Sequence, residues 1–120
     1  MKLHKLTPIL RTADLQQTVS FYETVLGFKS QSNFPGFASV SLQDAELMFI
    51  EPREDFTGPQ LTGSIYIFMD GVEALWDLIK DKATIKTPID NREYFMRDFS
   101  IFDNNGYELV FGQDISEKPA

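Results

Sequence analysis

Near the N-terminus, apolar and polar residues alternate with the spacing of an amphipathic helix. The apolar positions recur every three or four residues, at Leu15, Val19, Tyr22 and Leu26. Asp14 stands just before this pattern, and Gln17 follows three residues later, as an N-cap and its capping-box partner would. Gly27 comes after the last apolar position, where a left-handed residue often ends a helix. The pattern predicts a helix bounded by Asp14 and Gly27.

Short strand-like runs surround this helix. Residues 5–12 precede it, and residues 28–33, 37–42 and 46–51 follow it, with turn-forming residues between them. The segment 52–63 carries two prolines and two glycines, which predicts a connector rather than a further element.

The same order of elements returns in the second half of the chain. Residues 64–69 predict a strand, and Asp70, with Glu73 three residues later, predicts the N-cap of a second helix. The inward positions of that helix are Val72, Leu75 and Ile79. Three more strands are predicted at 84–89, 97–103 and 107–111.

This repeat predicts an α+β fold built from two βαβββ modules. We expect one domain over residues 1–120. Module one spans about 4–51, module two spans about 64–113, the connector is 52–63 and a C-terminal tail covers 114–120.

The amino-acid composition and the net charge argue against several classes of function. The formal net charge of −7 argues against nucleic acid, whose phosphates need a basic surface, and fits either solubility alone or attraction for a cationic ligand. There is no cysteine, so neither a disulfide nor a thiolate site is available. No apolar run reaches the roughly 20 residues of a membrane span. The N-terminus shows no signal-peptide pattern, so a cytoplasmic protein is expected.

Two segments resemble the glyoxalase and bleomycin-resistance proteins of the vicinal-oxygen-chelate superfamily. The first is Thr7–Leu15 with Val19–Glu23 and Val25–Phe28, and the second is the closing hairpin Arg97–Leu109. The hairpin departs from the family pattern at Asp98 and at Asn104-Asn105. The resemblance implies that the two modules curl their mixed sheet into a cup with the helices on the outer face. It also implies that two chains form a homodimer.

The resemblance further implies where a metal would bind. Metal-dependent relatives place ligands at four positions that correspond here to Thr7, Glu46, Ser64 and Val110. Only Glu46 is a good ligand, whereas tight sites need three or four imidazole, thiolate or carboxylate groups. The single histidine, His4, lies three residues before Thr7, so strand alternation puts it on the other face. We therefore expect no metal and no other cofactor.

Alternation along each strand then predicts which side chains line the cup. The apolar face under the helices would hold Leu10, Leu47, Phe49, Ile65, Ile67, Met69, Leu109 and Phe111. The predicted ligand-binding residues on the other face are Thr7, Ile9, Arg11, Glu46, Met48, Ser64, Tyr66, Phe68, Arg97, Phe99 and Val110. Ile50, Ile101 and Gly112 share that predicted face.

Several structural interpretations compete with ligand binding. The aromatic side chains of the cup could simply fill it, and Arg11 could pair with Glu46. Trp76 is expected to pack within the second helix rather than to meet a ligand. The aromatic residues near turns that are candidates for a lid are Phe34, Phe37 and Phe95.

No catalytic residue is predicted, because the chain has no histidine to spare besides His4 and no cysteine for a nucleophilic triad, and no second acid is predicted to face inward beside Glu46. The favoured hypothesis is a metal-free protein that sequesters a cationic or aromatic, antibiotic-like molecule, as bleomycin-resistance proteins do. The alternative is a metal-dependent enzyme of the glyoxalase or dioxygenase type: a lyase, an isomerase or a thiol transferase. A third hypothesis is a regulatory or assembly domain with no ligand of its own.

Overall fold

The computed structural model describes residues 1–2, 4–32, 34–52, 58 and 61–116, and within them the βαβββ order occurs twice. The first copy is β1 (Ile9–Arg11), α1 (Leu15–Thr24), β2 (Lys29–Gln31), β3 (Phe37–Leu42) and β4 (Ala45–Ile50). The second is β5 (Ile65–Phe68), α2 (Val72–Ile79), β6 (Thr84–Asn91), β7 (Met96–Phe102) and β8 (Glu108–Asp114). The predicted α+β class with two such modules is confirmed.

The chain divides into two compact units, residues 1–59 and 60–120, at a point inside the segment predicted as a connector. Positions 53–57, 59 and 60 of that connector and positions 117–120 of the predicted tail lie outside the described residues. The expectation of a single domain stays a prediction.

Unit one is a four-stranded sheet in the order β1-β4-β3-β2, with β1 parallel to β4 and the other pairs antiparallel. Helix α1 begins as predicted, because the Asp14 carboxylate accepts a hydrogen bond from the backbone N–H of Gln17 at 2.9 Å. Gly27 has a φ of 76°, the left-handed conformation predicted for the end of the helix. Tyr22 is fully buried and its ring lies 5.2 Å from that of Phe49, which forms the core between helix and sheet.

Unit two repeats this arrangement in the order β5-β8-β7-β6, with β5 parallel to β8. Pro88 lies in the edge strand β6, where register shifts interrupt the pairing with β7; an edge strand tolerates a residue without an N–H. Trp76 on α2 packs edge-on against Phe99 with ring centroids 5.1 Å apart, which confirms its predicted packing role.

The prediction that Asp70 caps α2 is wrong. The N-cap is Gly71, which has a φ of 71° and makes no side-chain capping bond. The left-handed glycine lets the chain enter the helix one residue later than expected, so the Asp70 carboxylate is not used at the helix terminus.

Candidate functional site

In each unit the helix covers one face of the sheet; we call the other face of that sheet the open face. In unit one, the pairing of Ile9 with Met48 and of Arg11 with Ile50 places these side chains together. Leu47 and Phe49, the alternate residues of β4, are buried on the helix face. The predicted face is therefore confirmed for Ile9, Arg11, Glu46 and Met48, while their role in binding a ligand stays a prediction.

The carboxylate of Glu46 is already engaged by its neighbours. Lys5 Nζ lies 2.7 Å from Glu46 Oε1, and the hydroxyl of Thr7 donates to the same oxygen at 3.2 Å. The hydrogen bond from Lys5 lowers the pKa of Glu46 below its usual value, against the opposing effect of burial. Glu46 is thus an ionised, paired carboxylate.

Arg11 does not take part in that pair. It lies beside Ile50, four residues and about 13 Å along the strand from Glu46. Its Nη1 donates to the backbone carbonyl of Glu51 at 3.4 Å. The Arg11–Glu46 ion pair considered from the sequence is replaced by the pair between Lys5 and Glu46.

In unit two, the face predicted for β7 is wrong. Directly paired residues of antiparallel strands share a face, and Phe99 is paired with Phe111. The two rings stack at 5.4 Å on the helix face, where Phe99 also meets α2. Arg97 lies on this face as well, and its guanidinium pairs with Glu73 of α2 at 2.9 Å. Ile101, paired with the buried Leu109, is the third residue of β7 on the helix side.

The residues that β7 presents on the open face are instead Asp98 and Ser100. They are paired with Gly112 and Val110 of β8, and these in turn are paired with Phe68 and Tyr66 of β5. The open face assigned to Tyr66, Phe68, Val110 and Gly112 is confirmed.

Asp98 is the centre of a hydrogen-bond cluster on this face. Its side chain is 5% exposed, and its two oxygens accept three side-chain hydrogen bonds. The hydroxyls of Tyr66 and Tyr94 donate to Oδ2 at 2.8 and 2.7 Å, and Arg92 Nε donates to Oδ1 at 2.7 Å. The carboxylate therefore ties β5, β7 and the turn between β6 and β7 together.

These bonds fix the charge states of the cluster. Burial raises the pKa of Asp98, but the hydrogen bonds from Arg92, Tyr94 and Tyr66 outweigh it, and the pKa lies below its usual value. Burial and the bond to Asp98 raise the pKa of Tyr66, and the bond to Asp98 raises that of Tyr94. At neutral pH the carboxylate is ionised and both phenols are protonated, so the hydrogen bonds hold the members of the cluster in place.

The cluster positions an aromatic pair. Tyr66 lies so close over Gly112 that a Cβ at residue 112 would overlap its hydroxyl and ring. The ring of Phe68 is tilted against that of Tyr66 with centroids 4.8 Å apart, and Phe68 is 76% exposed. A cavity of about 260 Å³ adjoins this pair and is lined by Phe68, Met69, Asp70, Gly112 and Asp114.

The candidate lid residues differ in their setting. Phe34 and Phe95 are 69% and 66% exposed on turns, and Phe95 has a φ of 64°. Phe37 is half-buried at the start of β3, where it is paired with Ile50 on the open face of unit one. Whether any of them closes over a ligand stays a prediction.

The four places at which metal-dependent relatives hold an ion do not fit one here. Unit one offers the Thr7 hydroxyl and Glu46, which is paired with Lys5, and unit two offers the Ser64 hydroxyl and the isopropyl group of Val110. Tight transition-metal sites require three or four imidazole, thiolate or carboxylate donors. Across the described ranges, no group of three or more His, Cys, Asp or Glu side chains is placed to hold an ion.

The fold and the open faces define a class of protein: a duplicated βαβββ scaffold with aromatic and polar groups on the uncovered side of each sheet. The family model described as Glyoxalase/Bleomycin resistance protein/Dioxygenase superfamily matches residues 2–111. The chain belongs to this superfamily. In the part that the structure describes, no helix is long and apolar enough to cross a membrane.

Solved structures agree with this assignment of the fold. TioX from Micromonospora sp. ML1 superposes with a TM-score of 0.78 at 16% identity, covering 92% of this chain and 98% of that one. A glyoxalase/bleomycin resistance protein/dioxygenase from Alicyclobacillus acidocaldarius superposes with a TM-score of 0.77 at 17% identity, covering 92% of this chain and 91% of that one. A protein of the same description from Nocardioides superposes with a TM-score of 0.74 at 19% identity, covering 100% of this chain and 90% of that one. No curated protein matches the chain.

Proposed function

We propose that this protein is a metal-free small-molecule-binding member of its superfamily, similar to bleomycin-resistance proteins, which sequesters a cationic or aromatic antibiotic-like ligand. The observation that carries the proposal is the donor set at the four metal places. Its only carboxylate, Glu46, is neutralised by Lys5 and bonded by Thr7, and Val110 offers no donor.

The open face of unit two supports binding of a flat ligand. Phe68 is a large exposed aromatic beside Tyr66, whose hydroxyl donates to Asp98 and whose ring lies close over Gly112. A rigid aromatic surface binds at low entropic cost, because little side-chain freedom is lost. The net charge of −7 favours a cationic guest over an anionic one.

The proposal includes a homodimer, as the resemblance implies. Exposed aromatic side chains such as Phe34 and Phe95 offer apolar surface for such an interface. Sedimentation equilibrium should give a mass of twice 13.7 kDa, and a monomer at all accessible concentrations would remove this part of the proposal.

Ligand binding is tested by thermal shift with metal-free bleomycin-type glycopeptides and planar cationic aromatics at tens of micromolar. Trp76 packs on the helix side of the sheet, so its fluorescence is a poor reporter and melting temperature is the better readout. Phe68→Ala should weaken binding about tenfold, as expected for truncation of an aromatic anchor. Leu78→Ala, at an exposed apolar position on α2, is the control and should leave affinity unchanged. The absence of a shift with every compound would contradict sequestration.

The enzyme alternative is tested separately, by elemental analysis of protein purified without chelator. A stoichiometric transition metal would overturn the metal-free assignment and favour a lyase, isomerase, dioxygenase or thiol transferase. The donor set predicts a metal content well below one per chain.

A further inference from the structure

One polar group on the open face of unit two takes no part in the cluster around Asp98. Ser100 lies on this face, because its neighbours in β7, Phe99 and Ile101, are buried on the helix face. The residue is only 3% exposed, and its hydroxyl forms no hydrogen bond within the part of the chain that the structure describes. Because nearly every buried polar side chain of a folded protein is hydrogen-bonded, this hydroxyl requires a physical explanation.

The strand register places Ser100 at the centre of the open face, among small side chains. It is paired with Val110 of β8 and with Thr87 of β6. Two aromatic side chains flank it: Tyr66, whose hydroxyl reaches β7 two residues before Ser100, and Phe102, two residues after it. These two places on β7 are four residues, or about 13 Å, apart. The small residues therefore form the floor of a depression between two rings, which we call the central depression.

The charged groups beside the central depression are paired with each other. On one side Asp98 is neutralised by Arg92, and on the other Glu108 pairs with Lys86 at 2.8 Å. A cationic group of a ligand would have to compete with these partners, and an anionic group would meet two carboxylates. The hydroxyl of Ser100 is thus the polar group there that a neutral ligand can engage without breaking an ion pair.

From these features we infer that the hydroxyl of Ser100 donates a hydrogen bond to a neutral carbonyl group of the ligand, and that this bond selects aromatic ligands that carry a carbonyl beside the ring. The inference rests on the proposed function and names the polar part of the ligand. A hydroxyl that is buried without an acceptor costs free energy, and a carbonyl oxygen removes that cost when it binds. The flanking rings of Tyr66 and Phe102 suit the aromatic part of the same molecule, since aromatic groups attract each other in stacked and edge-on arrangements.

A ligand reaches Ser100 when a side chain at the margin of the central depression moves aside. Lys86 extends from β6 to Glu108 on β8, and its Nζ lies 5.9 Å from the centroid of the Phe102 ring. The Lys86 side chain is 45% exposed, so its ion pair contributes little stability and its rotamers exchange within nanoseconds. Lys86 can therefore open the depression at small cost.

The test uses two neutral probes of the same shape, acetophenone and α-methylstyrene, in which a methylene group replaces the carbonyl oxygen. Each is titrated into ¹⁵N-labelled protein at pH 7, and the amide signals of residues 99–101 and 109–111 are followed. Both probes should shift these signals. Acetophenone should bind about fivefold more tightly than α-methylstyrene, the difference that one net hydrogen bond makes.

Ser100→Ala distinguishes a hydroxyl that serves a ligand from one that serves the fold. The variant should bind acetophenone about fivefold more weakly and bind α-methylstyrene unchanged. Its midpoint of urea unfolding should rise, because the substitution removes a buried hydroxyl that has no acceptor. Ser39→Ala is the matched control, on the open face of unit one, where the serine hydroxyl donates to the carbonyl of Gln31 at 3.5 Å. The control should change the affinity for neither probe and should not raise the midpoint.

Equal affinity for the two probes would overturn the role of Ser100. So would a Ser100→Ala protein that is less stable than wild type, because the hydroxyl would then already have a partner in the folded chain. If bleomycin-type glycopeptides raise the melting temperature although the two probes bind equally, the proposed function stands and only the role of Ser100 is wrong. If Ser100→Ala abolishes the preference for acetophenone while no larger compound binds, the role of Ser100 stands and sequestration is wrong.

Discussion

At the scale of single residues, Asp98 shows how a buried charge is made stable in this fold. A lone carboxylate on a side chain that is only 5% exposed would be costly, but three donors converge on it and one of them, Arg92, carries the opposite charge. Arg92 also donates from Nη2 to the carbonyls of Pro88 and Asp98, so the cluster fastens the turn between β6 and β7.

Asp98→Ala should lower the free energy of unfolding at pH 7 by about 3 kcal/mol, because it leaves a largely buried guanidinium and two phenols without their acceptor. Since the native pKa of Asp98 is lowered, the native state binds fewer protons than the unfolded state just below the ordinary value of 3.8. Its contribution is complete above that value and is lost as the pH falls through the native pKa. The free energies of unfolding of wild type and variant, measured with urea, should therefore differ less at pH 3 than at pH 7. Asp81→Ala, which removes an exposed carboxylate in the turn after α2, is the control. A loss of stability for Asp98→Ala as small as that of the control would contradict this account.

Gly112 is the second residue at which local chemistry is decisive. Gly112→Ala should destabilise the protein by about 2 kcal/mol, because the new methyl group pushes Tyr66 off its hydrogen bond to Asp98. The cost should fall sharply in a Tyr66→Ala background, where the obstructing ring is gone. Equal costs in both backgrounds, measured as a double-mutant cycle by urea unfolding, would show that Tyr66 is not the obstacle.

At the scale of elements, the two helices begin differently although the sequence marks them alike. Both follow an aspartate and have Gln or Glu three residues later, yet only Asp14 bonds a backbone N–H of the helix. The difference lies in Gly71, whose left-handed conformation takes the cap position and which no cap motif in the sequence reveals.

Asp14→Ala should therefore cost about 1 kcal/mol of stability, the usual value of an N-cap. Asp70→Ala should cost less than about 0.5 kcal/mol, as for an ordinary surface position. Thermal and urea unfolding of the two variants check this directly, and a similar loss for both would restore Asp70 as a cap.

Strand β7 shows where prediction from the sequence fails and why. The faces of β4, β5 and β8 were predictable, because one alternate set on each strand is uniformly apolar and must lie under a helix. The same rule applied to β7 puts Phe99 and Ile101 on the helix face, which is what the structure shows, and the cup face predicted for them is wrong. The consequence was that Asp98, a buried acid bonded by the nearby Arg92 and Tyr94 and by the distant Tyr66, was missed.

At the scale of the whole molecule, the duplicated order of elements was predictable because turn residues and helix periodicity are local signals. The Asp98 cluster was not, since it joins residues 92, 94 and 98 of one hairpin to residue 66 of β5, and that link depends on strand pairing that no single segment encodes. The engagement of Glu46 by Lys5 depends likewise on a contact between residues 41 positions apart. The sequence reveals the scaffold, and the contacts between its strands decide which polar groups remain for a ligand.

The central claim is that this scaffold binds its guest without a metal ion, and one titration tests it most directly. Isothermal calorimetry with a metal-free bleomycin-type glycopeptide, and with a planar cationic aromatic, should show saturable binding with the same dissociation constant before and after exhaustive dialysis against chelator. Binding that disappears with the chelator and returns on addition of zinc, nickel, manganese or iron would contradict the account.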